Sequence, residues 1–293
     1  MTLLKIYRKK FYLFFFILFT GHSCLSQDFF ASVFAGIANY SGDLQQKRFS
    51  FQQAHPAFGV GLLYELNEKM LIRADFTYGR ISAHDKYSSK NYARNLSFLS
   101  NISEYSIGFE YTFLDLYVNK VSPYLYTGIA LYDFNPYTKL ENNNLIYLAE
   151  LNTEGQGFYE GRKEYKLRQF SIPMGAGFQW AFSDHKRLGI VLGFRKTFTD
   201  YLDDVSTTYV DQPTLVLNRS QTSATYAYRG DELDNGPAYP PGGTPRGNPK
   251  SKDWYYFVGI TFRTRLLPKR KEIRFQFNPK SARKNSRKCP AVY

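Results

Sequence analysis

Gln169-Phe-Ser-Ile-Pro-Met-Gly-Ala-Gly-Phe-Gln-Trp-Ala-Phe182 decides the fold class. Its even positions are Phe170, Ile172, Met174, Ala176, Phe178, Trp180 and Phe182. Its odd positions are Gln169, Ser171, Pro173, Gly175, Gly177, Gln179 and Ala181. One face is apolar along its length and the other is small or polar. Successive side chains of a β-strand point to opposite faces, so this is an amphipathic strand. It is longer than a typical soluble strand and suits a tilted strand crossing a bilayer, for which about 9–11 residues suffice.

The same alternation recurs. Tyr105, Ile107, Phe109, Tyr111 and Phe113 oppose Ser106, Gly108, Glu110 and Thr112. Ile72, Ala74, Phe76 and Tyr78 oppose Arg73, Asp75, Thr77 and Gly79. Trp254, Tyr256, Val258, Ile260 and Phe262 oppose Tyr255, Phe257, Gly259, Thr261 and Arg263. Eight such segments are predicted, at 28–38, 56–65, 69–81, 97–113, 122–133, 166–182, 187–199 and 252–264. An even number lets an antiparallel sheet close without a free edge, as a hydrocarbon environment demands. Connections alternate between brief (66–68, 114–121, 183–186) and long (39–55, 82–96, 134–165, 200–251).

The expected fold is an all-β, eight-stranded antiparallel transmembrane β-barrel with long extracellular loops. It belongs in the outer membrane of a Gram-negative bacterium, with both mature termini in the periplasm. A soluble sandwich or lipocalin-like barrel also alternates. Its apolar face, however, would line a core, whereas here the opposite face carries Gly, Ser, Thr and single charges that suit a narrow filled lumen. The Pro/Gly-dense stretch 235–249 cannot form a packed core alone and is expected to be mobile.

Composition agrees. The chain of 293 residues holds 25 Tyr and 26 Phe beside 2 Trp, a density that suits strands with rings at a membrane interface. Its net charge of +13 is uneven. Residues 1–26 carry Lys5, Arg8, Lys9 and Lys10 and no acid, followed by the apolar run 11–20, and read as a signal peptide cleaved after Ser26. The rival reading, lipidation at Cys24, has a poor match in the residues before it. Residues 27–264, the barrel, are electrically balanced, which excludes a nucleic-acid binder with a basic folded face. The excess reappears in 265–293, read as a basic periplasmic tail.

Six charges fall on inward-facing positions: Arg73, Asp75, Glu104, Glu110, Arg195 and Arg263. Three cations against three anions predict a paired network that seals the lumen; a conducting filter would favour one sign. No catalytic centre, cofactor, metal site or small-molecule substrate is expected. His84-Asp85 beside Ser82 and Ser88 is the one cluster with hydrolase-like residue types, and it sits on a loop where Ser and Asp serve turns. Asp200, Asp203, Asp204 and Asp211 lack the ordered spacing of a calcium loop and read as turn and cap residues.

Several strings together resemble a known family. They are Tyr40-Ser-Gly-Asp-Leu44, Arg94-Asn-Leu-Ser-Phe98, Leu151-Asn-Thr-Glu-Gly-Gln-Gly157, Ile172-Pro-Met-Gly-Ala-Gly177 and Arg195-Lys-Thr-Phe-Thr-Asp-Tyr-Leu-Asp-Asp-Val-Ser-Thr-Thr-Tyr209. They resemble the PorG-like outer-membrane β-barrels associated with the type IX secretion system. The likeness covers about 27–210 and, more weakly, the last strand. It implies a non-enzymatic accessory role in protein secretion, with periplasmic secretion-ring proteins as partners. It carries no catalytic residues.

The tail lies outside those strings. Ile273, Phe275 and Phe277 alternate with Arg274 and Gln276, so this piece has the pattern of a strand that adds to a partner sheet. Lys269, Arg270, Lys271, Arg283, Lys284, Arg287 and Lys288 around it would steer an acidic partner. A solvated tail with no partner is the plain alternative, and Cys289 is a thiol without a mate in the mature chain. The sequence therefore predicts an anchoring or accessory barrel in contact with outer-membrane lipid and periplasmic partners. Two rivals stay open: a surface barrel whose loops bind an extracellular ligand, and a small barrel enzyme acting on envelope lipid.

Overall fold

The structure is a computed structural model that describes residues 28–45, 50–88, 90–139 and 144–266. Eight long strands close a barrel: β1 (Phe29–Ser41), β2 (His55–Glu65), β3 (Met70–His84), β4 (Ser97–Thr112), β5 (Val121–Asp133), β8 (Arg168–Ser183), β9 (Lys186–Thr197) and β10 (Trp254–Arg265). Each pairs antiparallel with the next, and β1 pairs with β10 from Phe30↔Arg265 to Ser41↔Trp254. No open edge is left in the barrel wall, as the even strand count requires.

The wall is inside out compared with a soluble protein. Ile107, Phe109, Phe170, Phe178 and Ile190 are each more than half exposed on the outside. Glu104, Glu110, Gln179, Thr261 and Arg263 are buried within. An apolar band around a closed, polar-cored barrel is stable only against hydrocarbon. Among the described residues no helix is long and apolar enough to cross a membrane; the strands cross instead. Ile107 stands opposite Ala74 and Ile129 near the middle of this band. Ile107→Arg is expected to cost about 2–4 kcal/mol in urea unfolding from lipid vesicles, the midplane value for a cation facing lipid.

Strand positions follow the alternation, with instructive departures at the loop end. There β1 runs to Ser41 and β3 to His84, three residues past the predicted ends. Both faces of β1 are covered at this height: Ala38, Asn39 and Tyr40 are all buried. Period-two patterning therefore stops marking the strand. A short hairpin, β6 (Tyr137–Lys139) with β7 (Leu145–Tyr147), has no counterpart among the predicted segments; it joins the wall by the single pair Leu99↔Tyr137. The other end has short turns. There Arg265 is the last residue of β10 and is buried against Asp28 at 2.7 Å. This corrects its assignment to the tail: Arg265 lies on the inward face with Arg263, so it belongs to the barrel.

The long loops form one packed body over the mouth. It contains a single turn α1 (Leu148–Leu151) and helices α2 (Gln212–Asn218) and α3 (Gln221–Ala227). Asp211 caps α2 by accepting from Thr214 N, and Ser220 caps α3 by accepting from Ser223 N. Leu44, Leu148, Leu202, Val205 and Tyr226 from the loops share one core with Ile81, Phe98, Tyr132 and Phe257 from the strands.

The expectation that 235–249 is mobile is overturned. Tyr209 N donates to Thr244 O and Gly243 N to Tyr209 O, each at 2.9 Å. The rings of Tyr209, Tyr228 and Tyr239 pack edge-on at 5.7–5.9 Å. The segment makes no core of its own; it is ordered by borrowing aromatic and backbone partners from 207–228.

Candidate functional site

Two polar assemblies occupy the molecule's axis, one inside the barrel and one in the cap. Inside, Arg73, Arg187, Arg195, Arg263 and Arg265 face Asp28, Glu65, Asp75, Glu104 and Glu110 in three layers. All five cations are arginines, whose planar fork can satisfy several acceptors in a crowded interior.

At the turn end, Arg187 Nη2 meets Glu65 Oε1 at 3.1 Å, and Arg265 Nη2 meets Asp28. Tyr117, from the turn between β4 and β5, joins them by accepting from Arg265 and donating to Glu65. At mid-height Glu110 accepts from Arg263 Nη2 at 2.9 Å, Arg73 Nη1 at 3.1 Å and Gln179 Nε2 at 2.7 Å. Arg73 also holds Asp75 at 2.7 Å and stacks on Tyr126 at 4.2 Å. Above, Arg195 grips Glu104 through Nε and Nη2, and Tyr255 donates to the same carboxylate at 2.7 Å.

The six charges predicted to line the lumen thus fall into two clusters joined through Tyr126, whose hydroxyl accepts from Arg195 Nη1 at 3.3 Å. Sequence reading missed the third cluster. Glu65 and Arg187 share the inward faces of Leu63 and Val191, so alternation could have found them. Tyr117 lies in a turn with no periodicity and left no signal.

Between the upper layers lies a cavity of about 40 Å³ that touches Arg73, Asp75, Tyr126, Arg195 and Thr261. That is room for about three water molecules. Gly175 and Gly193 make the neighbouring wall thin because the Tyr126 ring lies where their Cβ atoms would stand. Paired charged side chains fill the lumen above and below this cavity.

In the cap, four loops meet at buried charges. Glu154 accepts from Ser206 N (2.8 Å), Thr207 N (2.9 Å), Thr207 Oγ1 (2.6 Å), Tyr201 Oη (3.2 Å) and Arg246 Nη1 (3.0 Å). Arg246 also donates to the carbonyls of Ala227 and Asp204. Arg94 binds Asp85 through two nitrogens at 2.7 and 2.8 Å and reaches the carbonyls of Asp43 and Arg246. The strings Tyr40–Leu44, Arg94–Phe98, Leu151–Gly157 and Arg195–Tyr209 converge at this junction.

The acidic group divides. Asp211 is a surface helix cap, while Asp200, Asp203 and Asp204 are buried. Burial pushes the Asp200 and Asp204 carboxyls up to about 7. Among the described residues no three His, Cys, Asp or Glu side chains are placed to hold a metal ion.

The residues of the loop cluster around His84 do not converge. Asp85 is committed to Arg94, Ser88 Oγ accepts from Asn91 N, and His84 Nδ1 accepts from Lys86 N. Ser82 Oγ instead lies 2.7 Å from His55 Nε2, and the charged neighbour of that imidazole is Arg80. A base needs an acid to orient it, and here it faces a cation. The expected partner-binding residues Lys269, Arg270, Lys271, Ile273, Arg274, Phe275, Phe277, Arg283, Lys284, Arg287 and Lys288 lie outside the described residues, as does the expected signal peptide 1–26.

Residues 9–235 match the family described as "Domain of unknown function (DUF6089)". No curated protein matches the chain. Solved structures that resemble it include Neisserial surface protein A, with 10% identity, TM-score 0.41, and 80% of this chain and 96% of that one covered. A major outer membrane protein from Thermus thermophilus has 13% identity and TM-score 0.39, with 81% and 99% covered. Ail, the attachment invasion locus protein of Yersinia pestis, has 10% identity and TM-score 0.37, with 82% and 99% covered. The fold, fixed by the closed strand order and the exposed apolar band, is that of an outer-membrane β-barrel.

Proposed function

We propose that this chain, which belongs to the DUF6089 family, is a non-enzymatic, non-conducting anchor of the outer membrane that works through its two ends. The observation that carries this reading is the filled lumen: three layers of paired charges and a packed cap occupy the barrel axis. Function then falls to surfaces beyond the wall. The unassembled His84 cluster supports a role without catalysis.

The finer reading is an accessory component of a type IX-like secretion assembly, with the cap outside the cell and the basic tail reaching periplasmic partners. It rests on the family-like strings and on the cation-rich sequence 269–293. Mild crosslinking in cells, followed by purification of the full chain and of a chain lacking 269–293, tests it. Periplasmic secretion proteins are expected with the full chain and are expected to be lost without the tail while the barrel stays inserted. Equal recovery from both would refute tail docking.

A second reading, a surface barrel that binds an extracellular ligand, is favoured by the order of the cap. Rigid loops lose little entropy on binding. Retention of cap-dependent ligand binding by the tail-less chain would support it.

A further inference from the structure

In the cap, two buried carboxyl groups meet one hydroxyl. Tyr40 Oη lies 2.6 Å from Asp203 Oδ2 and 2.9 Å from Asp253 Oδ1. A tyrosine hydroxyl owns a single hydrogen. Backbone donors also reach these carboxyls: Val205 N at 2.9 Å on Asp203 Oδ1, Leu44 N at 3.2 Å on the same Asp203 Oδ2 that Tyr40 meets, and Leu202 N at 2.9 Å on Asp253 Oδ2. The hydroxyl serves both acids fully when it donates to one carboxylate and accepts from the other, protonated, carboxyl group.

The surroundings enforce that proton. Among the described residues no Lys or Arg forms an ion pair with Asp43, Asp200, Asp203 or Asp253, while Arg94 and Arg246 are committed to Asp85 and Glu154. The charged and titratable groups that face the pair are Asp43 and Arg94 from the neighbouring loops, Asp200 from the same segment with the cation Lys252 near it, and Tyr132 and Tyr165. Acids outnumber cations there, and two buried like charges that share one hydroxyl cannot both stay ionised.

We propose that Asp203, Tyr40 and Asp253 form a proton-operated latch, in which one shared proton holds 42–45 and 199–206 on the barrel mouth and its loss releases both. The segments are tied to the carboxyls through the amides of Leu44, Leu202 and Val205, so a second negative charge would act on both at once. Burial first, then the neighbouring acids, holds both carboxyls well above the usual carboxylate range. An acid whose seated pKa is raised stabilises the seated form most fully at low pH. That stability is lost as pH climbs from about 4, where a solvated carboxyl ionises, through the raised value. The latch is therefore closed in acid and loosens on the alkaline side. This inference is independent of which partner the barrel serves.

Hydrogen exchange on the full chain in lipid vesicles from pH 5 to pH 9, corrected for the intrinsic rate, tests it. Opening of peptides that contain Leu44, Leu202 and Val205 is expected to rise at least about tenfold, with β8 unchanged. Asp253→Asn carries a neutral amide that can accept from Leu202 N and donate to Tyr40. In this variant the rise is expected to shrink below about twofold. Should it fail to insert, Asp203→Asn is read at 199–206 alone, because its Nδ2 donates to Tyr40 and can no longer accept from Leu44 N. A flat profile in the unmodified chain overturns the latch by itself. So does an inserted Asn variant that keeps the full slope, since the titration would then belong to Asp200 or Asp204.

Discussion

Glu110→Ala is expected to destabilise the barrel by about 3–5 kcal/mol, the range for removing one partner of a buried ion pair. Glu110 is fully buried and accepts from Arg263, Arg73 and Gln179 together. Without it, Arg263 is left inside the wall with 2% of its side chain exposed, and its Nε already has no partner. Arg73 keeps Asp75, so the larger share of the loss falls on Arg263. Urea unfolding of the protein in vesicles measures the effect. Asp133→Ala is the matched control: its partner Arg168 is 68% exposed, and such pairs are worth roughly 0–1 kcal/mol. Equal losses for the two variants would mean that the lumen charges do not hold the wall together.

Arg246→Ala is expected to open the cap and leave the barrel intact. Arg246 is the cation that balances Glu154, and its other bonds fix the carbonyls of Ala227 and Asp204. Its removal leaves a fully buried carboxylate uncompensated, again a cost of about 3–5 kcal/mol. At about 1.4 kcal/mol per tenfold, the open cap becomes more than about a hundredfold more populated. Trypsin cleavage at Arg219, Arg229 and Lys250 is expected to accelerate to match, while heat-modifiable migration of the barrel stays unchanged. An unchanged cleavage rate would show that the apolar packing alone holds the loops.

The wall was legible because lipid on one side and a filled lumen on the other impose a period of two on every crossing strand. That logic gave the six lumen charges as well. It failed where its cause fails. At Ala38–Tyr40 both faces are covered, so alternation no longer tracks the strand. Tyr117 reaches the lumen from a turn, and Arg265 was masked by the basic run that follows it.

The cap shows a different limit. The strings that hold Tyr40, Arg94, Glu154 and Asp203 were visible one by one, but Tyr40 meets Asp203 across 163 residues of chain. Nothing local in either string says that they touch. The Pro/Gly composition of 235–249 pointed the wrong way for a related reason: composition reports what a segment can build alone, and this one is ordered by Tyr209 and Tyr228 from outside it.

The proposed role as an anchor requires a barrel that carries no ions and acts from its ends. The most direct test is single-channel recording on the purified full chain in a planar lipid bilayer under an applied voltage of either sign. Insertion is expected, shown by heat-modifiable migration of the same preparation, with no steady ion current. Reproducible ohmic steps from the unmodified chain would contradict it, because the layered charges and the cap would then have to leave an open path.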